Sequence, residues 1–241
     1  MNAAPGRASP GGTGGSGPAP SVPLALLACL PPVLLGYLCG ALPWGLWLGR
    51  WLRGVDVRTL GSRNLGATNV YRTLGPGLGI ATLALDALKG AVPVWLAPRL
   101  PGWPANGPLG PEWPPILAGL GAIAGHVWSV FARFRGGKGV ATTAGVLLAL
   151  SPAAFGVFVA VFVATVAVTR YISLGSMLGA LAFALTLGLT HGWRHPLAGF
   201  GVLVAALVIA RHRENLGRLV RGQERRFSLR PEPGGEPGGR P

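Results

Sequence analysis

The chain has 241 residues, half of them hydrophobic and only 12% charged, and Lys plus Arg outnumber Asp plus Glu 21 to 7 for a net charge of +14. A soluble domain carries roughly a quarter charged residues, so the composition excludes an ordinary water-soluble globule and points to a membrane protein. The basic excess does not call for a nucleic-acid partner, because loop charges that orient spans and attract anionic lipid account for it.

Residues 1–21 are rich in Gly, Pro and Ser and lack a basic segment feeding a short apolar one. They are expected to form a disordered tail before a retained helix, not a signal peptide. Apolar runs then predict an all-α polytopic membrane protein with about seven transmembrane helices, at 24–47, 78–96, 114–131, 140–150, 153–169, 174–190 and 196–210. The stretch 140–169 is too long for one untilted span and too short for two full ones. Ser151-Pro152 breaks it, so a tight hairpin of two short helices is expected, with five or six spans as the alternatives. The membrane domain is placed at 22–224 and a disordered cytoplasmic tail at 225–241. Seventeen basic residues fall on one side of this arrangement, and only Arg7, Arg99 and Arg194 on the other. By the positive-inside rule the N-terminus is expected outside and the C-terminus in the cytoplasm.

The loops on the basic side carry the chemistry. Gly61-Ser62-Arg63-Asn64-Leu65-Gly66-Ala67-Thr68-Asn69-Val70-Tyr71-Arg72 joins the first two spans and offers hydroxyls, amides and a guanidinium to a polyoxygenated anion. Asp86 and Lys89 lie three apart inside the second span, where a mutual structural pair weighs slightly ahead of chemistry. His126, near the end of the third span, reads as a histidine hydrogen-bonded within the bundle. Gly136, Gly137, Lys138 and Gly139 form an anion cradle: Lys138 is one of only two lysines beside 19 arginines, a compact ammonium where glycines let backbone N–H groups approach phosphate. It is not a nucleotide P-loop, because the required first Gly and the Ser or Thr after Lys are Ala132 and Gly139. Ser173 and Ser176 stand at the mouth of the sixth span, and Ser there also serves as a cap. His212 and Asn215 share a helical face at the end of the last span. His191 and His195 have no third ligand nearby, and Cys29 and Cys39 are ~15 Å apart along one helix, so neither a metal site nor a disulfide is expected.

Taken together these residues resemble one family, the bacterial acyl-phosphate:glycerol-3-phosphate acyltransferases of the PlsY type. Its members carry G-S-x-N-x-G-A-T-N-V-x-R, matched at 61–72, and D-x-x-K-G, matched by Asp86, Lys89 and Gly90. A G-H block ending in F-x-G-G-K-G-V-A-T matches 125–142, followed by R-Y-x-S-L-x-S at 170–176 and H-R-E-N-x-x-R-L at 212–219, with Gly222 and Glu224 after it. The similarity runs unbroken from the first span to about Glu224. Ser129 stands where members usually have Pro, which is expected to soften a kink in the third span, and both tails are longer than usual.

The resemblance implies a seven-helix protein of the bacterial inner membrane with its site on the cytoplasmic side. It implies acyl transfer from acyl phosphate to the 1-hydroxyl of glycerol 3-phosphate, giving lysophosphatidic acid, with no cofactor and neither acyl-CoA nor acyl-carrier protein as direct donor. A soluble acyl-phosphate-producing acyltransferase is a candidate partner beside membrane lipid. Gly136, Gly137, Lys138 and Gly139 would hold the donor's phosphate, and Ser62, Arg72, Ser176, His212 and Asn215 would bind glycerol 3-phosphate. Lys138, Ser62, His212 and Asn215 are the expected catalytic set, with the general base left open between His212 and the substrate's own phosphate. The H-x-x-x-x-D signature of other glycerolipid acyltransferases is missing, since Val130 and Phe131 follow His126 at the fourth and fifth positions. A mixed anhydride is already activated, so positioning and charge neutralisation can carry the rate. An organic-phosphate transporter is the competing class; it requires anion-binding groups at the bilayer midplane and an internal repeat, and no repeat is found.

Overall fold

A computed structural model describes residues 22–101, 103 and 109–228. The described residues form ten α-helices and no strand: α1 Val22–Gly40, α2 Trp44–Arg53, α3 Ala67–Leu74, α4 Pro76–Leu96, α5 Trp113–Val127, α6 Val140–Leu150, α7 Pro152–Thr169, α8 Ile172–His191, α9 Pro196–Arg211 and α10 Arg213–Val220. Every predicted apolar run is helical, but their lengths differ. Five segments are long and apolar enough to cross a bilayer, Leu27–Arg53, Pro76–Arg99, Trp113–Ala132, Pro152–Thr169 and Ile172–His191, and α9 with α10 makes a sixth if that pair, bent by 59°, is one span. α6 has 11 residues. That is about 16 Å of helix, near half of a hydrocarbon core about 30 Å thick.

Two local features depart from the expected pattern. The run at 24–47 is interrupted after Gly40, because Pro43 offers no N–H to continue the ladder, and the chain restarts as the amphipathic α2, which carries Trp44, Trp47 and Trp51. Part of the loop at 61–72 is itself helical, as α3.

Helix association in lipid cannot draw on hydrophobic exclusion from water, so it depends on close packing through small residues. α1 and α5 each carry a Gly-x-x-x-Gly pair. A Cβ on Gly36 or Gly40 would overlap the carbonyl of Ala118 or Ala122, and one on Gly121 or Gly125 the carbonyl of Val33 or Tyr37. Likewise Gly90 of α4 abuts the Thr142 carbonyl and Gly145 of α6 the Ala87 carbonyl. Around these contacts Val94, Ile116, Ile123, Val146, Leu147, Phe158, Phe183, Phe200 and Val204 belong to the main core, which draws on six helices, and Leu46, Val57, Leu65, Val70 and Ala132 make a smaller one that seats the 57–74 segment. α7 packs mainly on α8, where Gly175 and Gly179 receive Phe162, Val166 and Phe158. A large cavity remains between α7 and the α4–α6 pair.

The expected tail at 225–241 is not free at its start. The Phe227 N–H donates to the Arg170 carbonyl at 2.6 Å, the Phe227 ring lies 5.5 Å from that of Tyr71, and Arg226 sits over the Tyr171 ring. Pairing to the α7–α8 turn holds 225–228 against the helix ends. The remainder, 229–241, and the N-terminal tail at 1–21 lie outside the described residues.

Replacing Gly121 by Val should force α1 and α5 apart. Overpacking of this kind costs about 1–3 kcal/mol, read as a lower thermal midpoint of the detergent-solubilised protein. Gly199, with open space around it, should accept Ala without loss; equal midpoints for both variants would contradict the packing account.

Candidate active site

Asn69 organises the first loop. It is 3% exposed in the first turn of α3, and its Nδ2 donates to the carbonyls of Val57, Leu60 and Asn64 at 3.1, 3.2 and 2.9 Å. Its Oδ1 accepts the Ser62 N–H at 2.8 Å, while Asn64 Oδ1 accepts that of Gly66. A buried amide thus satisfies backbone groups that no helix ladder reaches. The loop folded around it presents Ser62 and, one turn further along α3, Arg72 to the large cavity.

The glycine segment is built differently from the cradle that its sequence implies. Arg133 and Phe134 both have positive φ, 56° and 59°, and turn the chain back along the last turn of α5. Gly136 and Gly137 then donate their N–H groups to the carbonyls of Val127 and His126 at 3.2 and 3.1 Å. A Cβ on Gly136 would overlap the His126 carbonyl, and one on Gly137 its ring Nε2. Neither glycine lines the large cavity. The amides assigned to a phosphate are therefore spent on α5, and these glycines serve close packing. Lys138, Gly139, Val140 and Ala141 do line the cavity. The N–H groups in the first turn of α6 have no partner within that helix, which gives this end a partial positive charge beside the Lys138 ammonium.

The opposite wall comes from the bend between α9 and α10. His212 Nδ1 lies 2.8 Å from the Val208 carbonyl. A carbonyl only accepts, so Nδ1 carries the proton and Nε2 keeps its lone pair. Burial, and then the charge of Lys138, push the His212 pKa down to about 4, so the ring is neutral at physiological pH. One turn on, Asn215 Oδ1 accepts from Lys138 Nζ, and Asn215 Nδ2 donates to Glu224 Oε1 at 2.5 Å. Ser173 Oγ donates to the same oxygen at 2.7 Å, and Arg218 Nε to Oε2 at 2.8 Å. Burial raises the Glu224 pKa, but the bonds from Asn215, Ser173 and Arg218 outweigh it and leave the carboxyl below its usual value. Burial dominates at Lys138 and lowers its pKa to about 8 despite the attraction of Glu224. Ser176 is 1% exposed, and its Oγ donates back to the Ile172 carbonyl at 2.8 Å, which leaves it an acceptor toward the cavity.

One cavity of about 790 Å³ thus collects Ser62, Arg72, Lys138, Gly139, Ser176, His212 and Asn215. Of the residues expected at the site, only Gly136 and Gly137 lie outside its walls. Ser173, Arg218 and Glu224, given no role from the sequence, belong to it; an acid set among Arg218, Arg221, Arg225 and Arg226 was the available signal for Glu224. From this polar end the cavity continues into an apolar gallery between Leu83 and Ala87 of α4, Ala144 of α6, and Phe155, Val159 and Phe162 of α7. Among the described residues no group of three His, Cys, Asp or Glu side chains is placed to hold a metal ion. Ser129, expected to soften a kink in the third span, lies just beyond the end of α5: its Oγ donates to the Ala41 carbonyl and accepts the Ala132 N–H, capping the short turn that follows.

Comparisons with known proteins bear on this arrangement. The family model described as glycerol-3-phosphate acyltransferase matches residues 30–222. The glycerol-3-phosphate acyltransferase of Geobacter metallireducens is 51% identical over 195 residues, 79% of this chain and 93% of that one. The crystal structure of PlsY (YgiH), an integral membrane glycerol 3-phosphate acyltransferase, in its glycerol 3-phosphate form superposes with a TM-score of 0.74 at 37% identity, over 83% of this chain and 96% of that one. Its lysophosphatidic acid form gives 0.72 at 36% identity, over 84% and 96%. With a cavity that joins a cationic mouth to an apolar gallery and a match spanning nearly all of the helical region, this chain belongs to the glycerol-3-phosphate acyltransferase family, of the PlsY type.

Proposed function

We propose that the protein transfers a fatty acyl group from acyl phosphate to the 1-hydroxyl of glycerol 3-phosphate, releasing phosphate and lysophosphatidic acid at the cytoplasmic face of a bacterial inner membrane. The observation that carries this reading is the continuity of the cavity: anion-binding groups at one end and an apolar gallery at the other suit a donor that is phosphate and acyl chain in one molecule. Neighbouring structures in glycerol 3-phosphate and lysophosphatidic acid forms support the acceptor and the product.

In this mechanism the acyl chain lies in the gallery and its phosphate faces Lys138 and the first turn of α6. Ser62, Arg72, Ser176, His212 and Asn215 receive glycerol 3-phosphate. Its hydroxyl oxygen attacks the acyl carbonyl carbon, a C–O ester bond forms, and the bond from that carbon to the phosphate oxygen breaks. Lys138 and the helix N-terminus neutralise the departing phosphate, the group on which charge accumulates. His212 Nε2, neutral and with its lone pair free, accepts the hydroxyl proton; the leaving phosphate is the other base within the same cavity. Asn215 aims Lys138, and Gly136 and Gly137 fix the backbone ahead of it. Purified protein given palmitoyl phosphate and labelled glycerol 3-phosphate should form labelled lysophosphatidic acid, and should not with palmitoyl-CoA. Product from the thioester alone would overturn the assignment of the donor.

The charge asymmetry predicts accessibility. With Cys29 and Cys39 replaced by Ala, single cysteines at Arg53, Arg135 or Arg213 should resist an impermeant thiol reagent in intact cells. One at Asn106, outside the described residues, should react; labelling of any of the first three from outside would invert the proposed orientation.

Lys138→Arg keeps the charge but spreads it over a larger planar group. Turnover should fall by about 10²–10³, the cost of losing one well-placed charge-stabilising donor. For the native protein, kcat/KM for acyl phosphate should fall about tenfold per unit as pH rises through about 8, because a lowered lysine pKa means that the required proton is lost from there upward. The Arg variant should lack that alkaline limb.

Arg72→Ala should raise KM for glycerol 3-phosphate by roughly 10–100-fold, the worth of a charge-assisted phosphate contact, and leave KM for acyl phosphate nearly unchanged. Equal increases for both substrates would mean one merged anion pocket.

A further inference from the structure

Directly behind the glycine segment lies a second cavity of about 10 Å³, close to the room that one water molecule needs. Asp86, Lys89, His126, Ser129 and Gly137 are among its walls. Lys89 Nζ stands 2.7 Å from Asp86 Oδ1 and donates to the Leu42 carbonyl at 2.6 Å, in the break between α1 and α2. His126 Nδ1 is 3.8 Å from the same Oδ1, beyond direct hydrogen bonding. The three side chains are only 3–6% exposed, yet neither Asp86 Oδ1 nor His126 Nδ1 has a hydrogen bond of good geometry among the described residues. The Lys89 ammonium already faces Asp86 Oδ1 at 2.7 Å, so the costly buried atom is His126 Nδ1, and the water-sized space beside it has room for one hydrogen-bonding water.

The other edge of the His126 ring supports the site. Its Nε2 occupies the space that a Cβ on Gly137 would need, and the His126 carbonyl holds the Gly137 N–H. Gly137 is therefore clamped by ring and backbone of one residue, and Lys138 follows it directly. Asp86 and His126 also reach the wall of the large cavity. The cluster thus ties α4, the α1–α2 break and α5 to the peptide that aims the ammonium.

We propose that Asp86, Lys89 and His126, together with one buried water, form a positioning unit for Lys138, acting through Gly137 and not on substrate. This rests on the reading of Lys138 as a phosphate-binding group. Misplacing such a group by about 1 Å can cost about 10² in rate, so the unit reaches the chemistry without touching it.

The test uses the full chain reconstituted in liposomes, with the thermal midpoint, kcat and both KM values measured. Asp86→Asn or Lys89→Met alone leaves a buried charge unpaired and should lower the midpoint strongly. The double variant Asp86→Asn/Lys89→Met should recover the midpoint but keep kcat reduced at least tenfold, with KM for glycerol 3-phosphate within about twofold of native. His126→Ala should lower kcat by about 10², and His126→Gln, which restores bulk and an amide near the Nε2 position, should recover part of it. In the double variant the alkaline limb of kcat/KM near pH 8 should also shift, because the surroundings of Lys138 change; a packing defect elsewhere would leave it in place. A double variant that is native in midpoint, kcat and pH profile alike would overturn the proposal and leave a structural ion pair, as would native kcat in His126→Gln together with that double variant. Lys138→Ala separates the two readings: if it keeps native activity, the phosphate role of Lys138 has failed, independently of the positioning unit.

Discussion

A site proposed to bind two phosphates must hold several cations close together before either substrate arrives, and Glu224 is the group that makes this tolerable. Its carboxylate takes hydrogen bonds from Ser173, Asn215 and Arg218, and through Asn215 it is coupled to Lys138. Without that anion, Lys138, Arg211 and Arg218 would face one another in a partly desolvated mouth, where unscreened repulsion is several times its value in water. Glu224 also stitches the fold, since its partners come from α8 and α10 and, through Asn215, from the segment before α6. On the proposed function, a substrate phosphate entering near Lys138 would offer the same charge to the same donors, exchanging an internal counter-ion for an external one.

The cationic mouth depends in turn on how closely the helices approach. α6 is too short to cross a bilayer alone, and its N-terminus reaches the cavity because Gly90 and Gly145 let α4 and α6 meet backbone to backbone. Helix ends at such depth carry unsatisfied N–H groups, tolerable only where they line a polar cavity or meet a ligand. On the proposed function the short helix begins where the donor's phosphate would be bound. The loops follow the same logic, with Asn69 and the α5 carbonyls consuming backbone groups that the bilayer could not satisfy.

Much of this was readable in the chain and some was not, for identifiable reasons. Apolar runs locate α4 to α9 closely because burial in lipid is a property of consecutive residues. The break at Ser151-Pro152 is equally local, with the Ser151 hydroxyl capping α7. The division of the first span was missed because Gly40 to Pro43 is a short interruption in a run that stays apolar up to Trp47. Gly136 and Gly137 were misassigned for a deeper reason: a glycine whose amide meets a ligand and one whose amide meets a neighbouring helix look the same in sequence. Glu224 offers only a weak signal in the sequence, because an acid among arginines reads as solvated until the segment that carries it is seen folded over the site. Lys138 stands out by composition, one of two lysines beside 19 arginines, whereas His212 and Asn215 are marked by the family resemblance, and all three line the one cavity.

The location of the polar groups also separates an enzyme from a transporter. Ser62, Lys138, Ser176 and His212 gather at one end of the cavity, and its walls on α4 and α6 stop at Ala87 and Ala144. At that level Gly90 meets the Thr142 carbonyl and Gly145 the Ala87 carbonyl, so the two helices touch backbone to backbone. A path opened between α4 and α6 would have to part helices in direct main-chain contact, which packed interiors resist because they shift between discrete arrangements and do not dilate. An acyl chain needs no such path. On the proposed function it would lie in the gallery beside α7, which packs on α8, with its phosphate at the polar end.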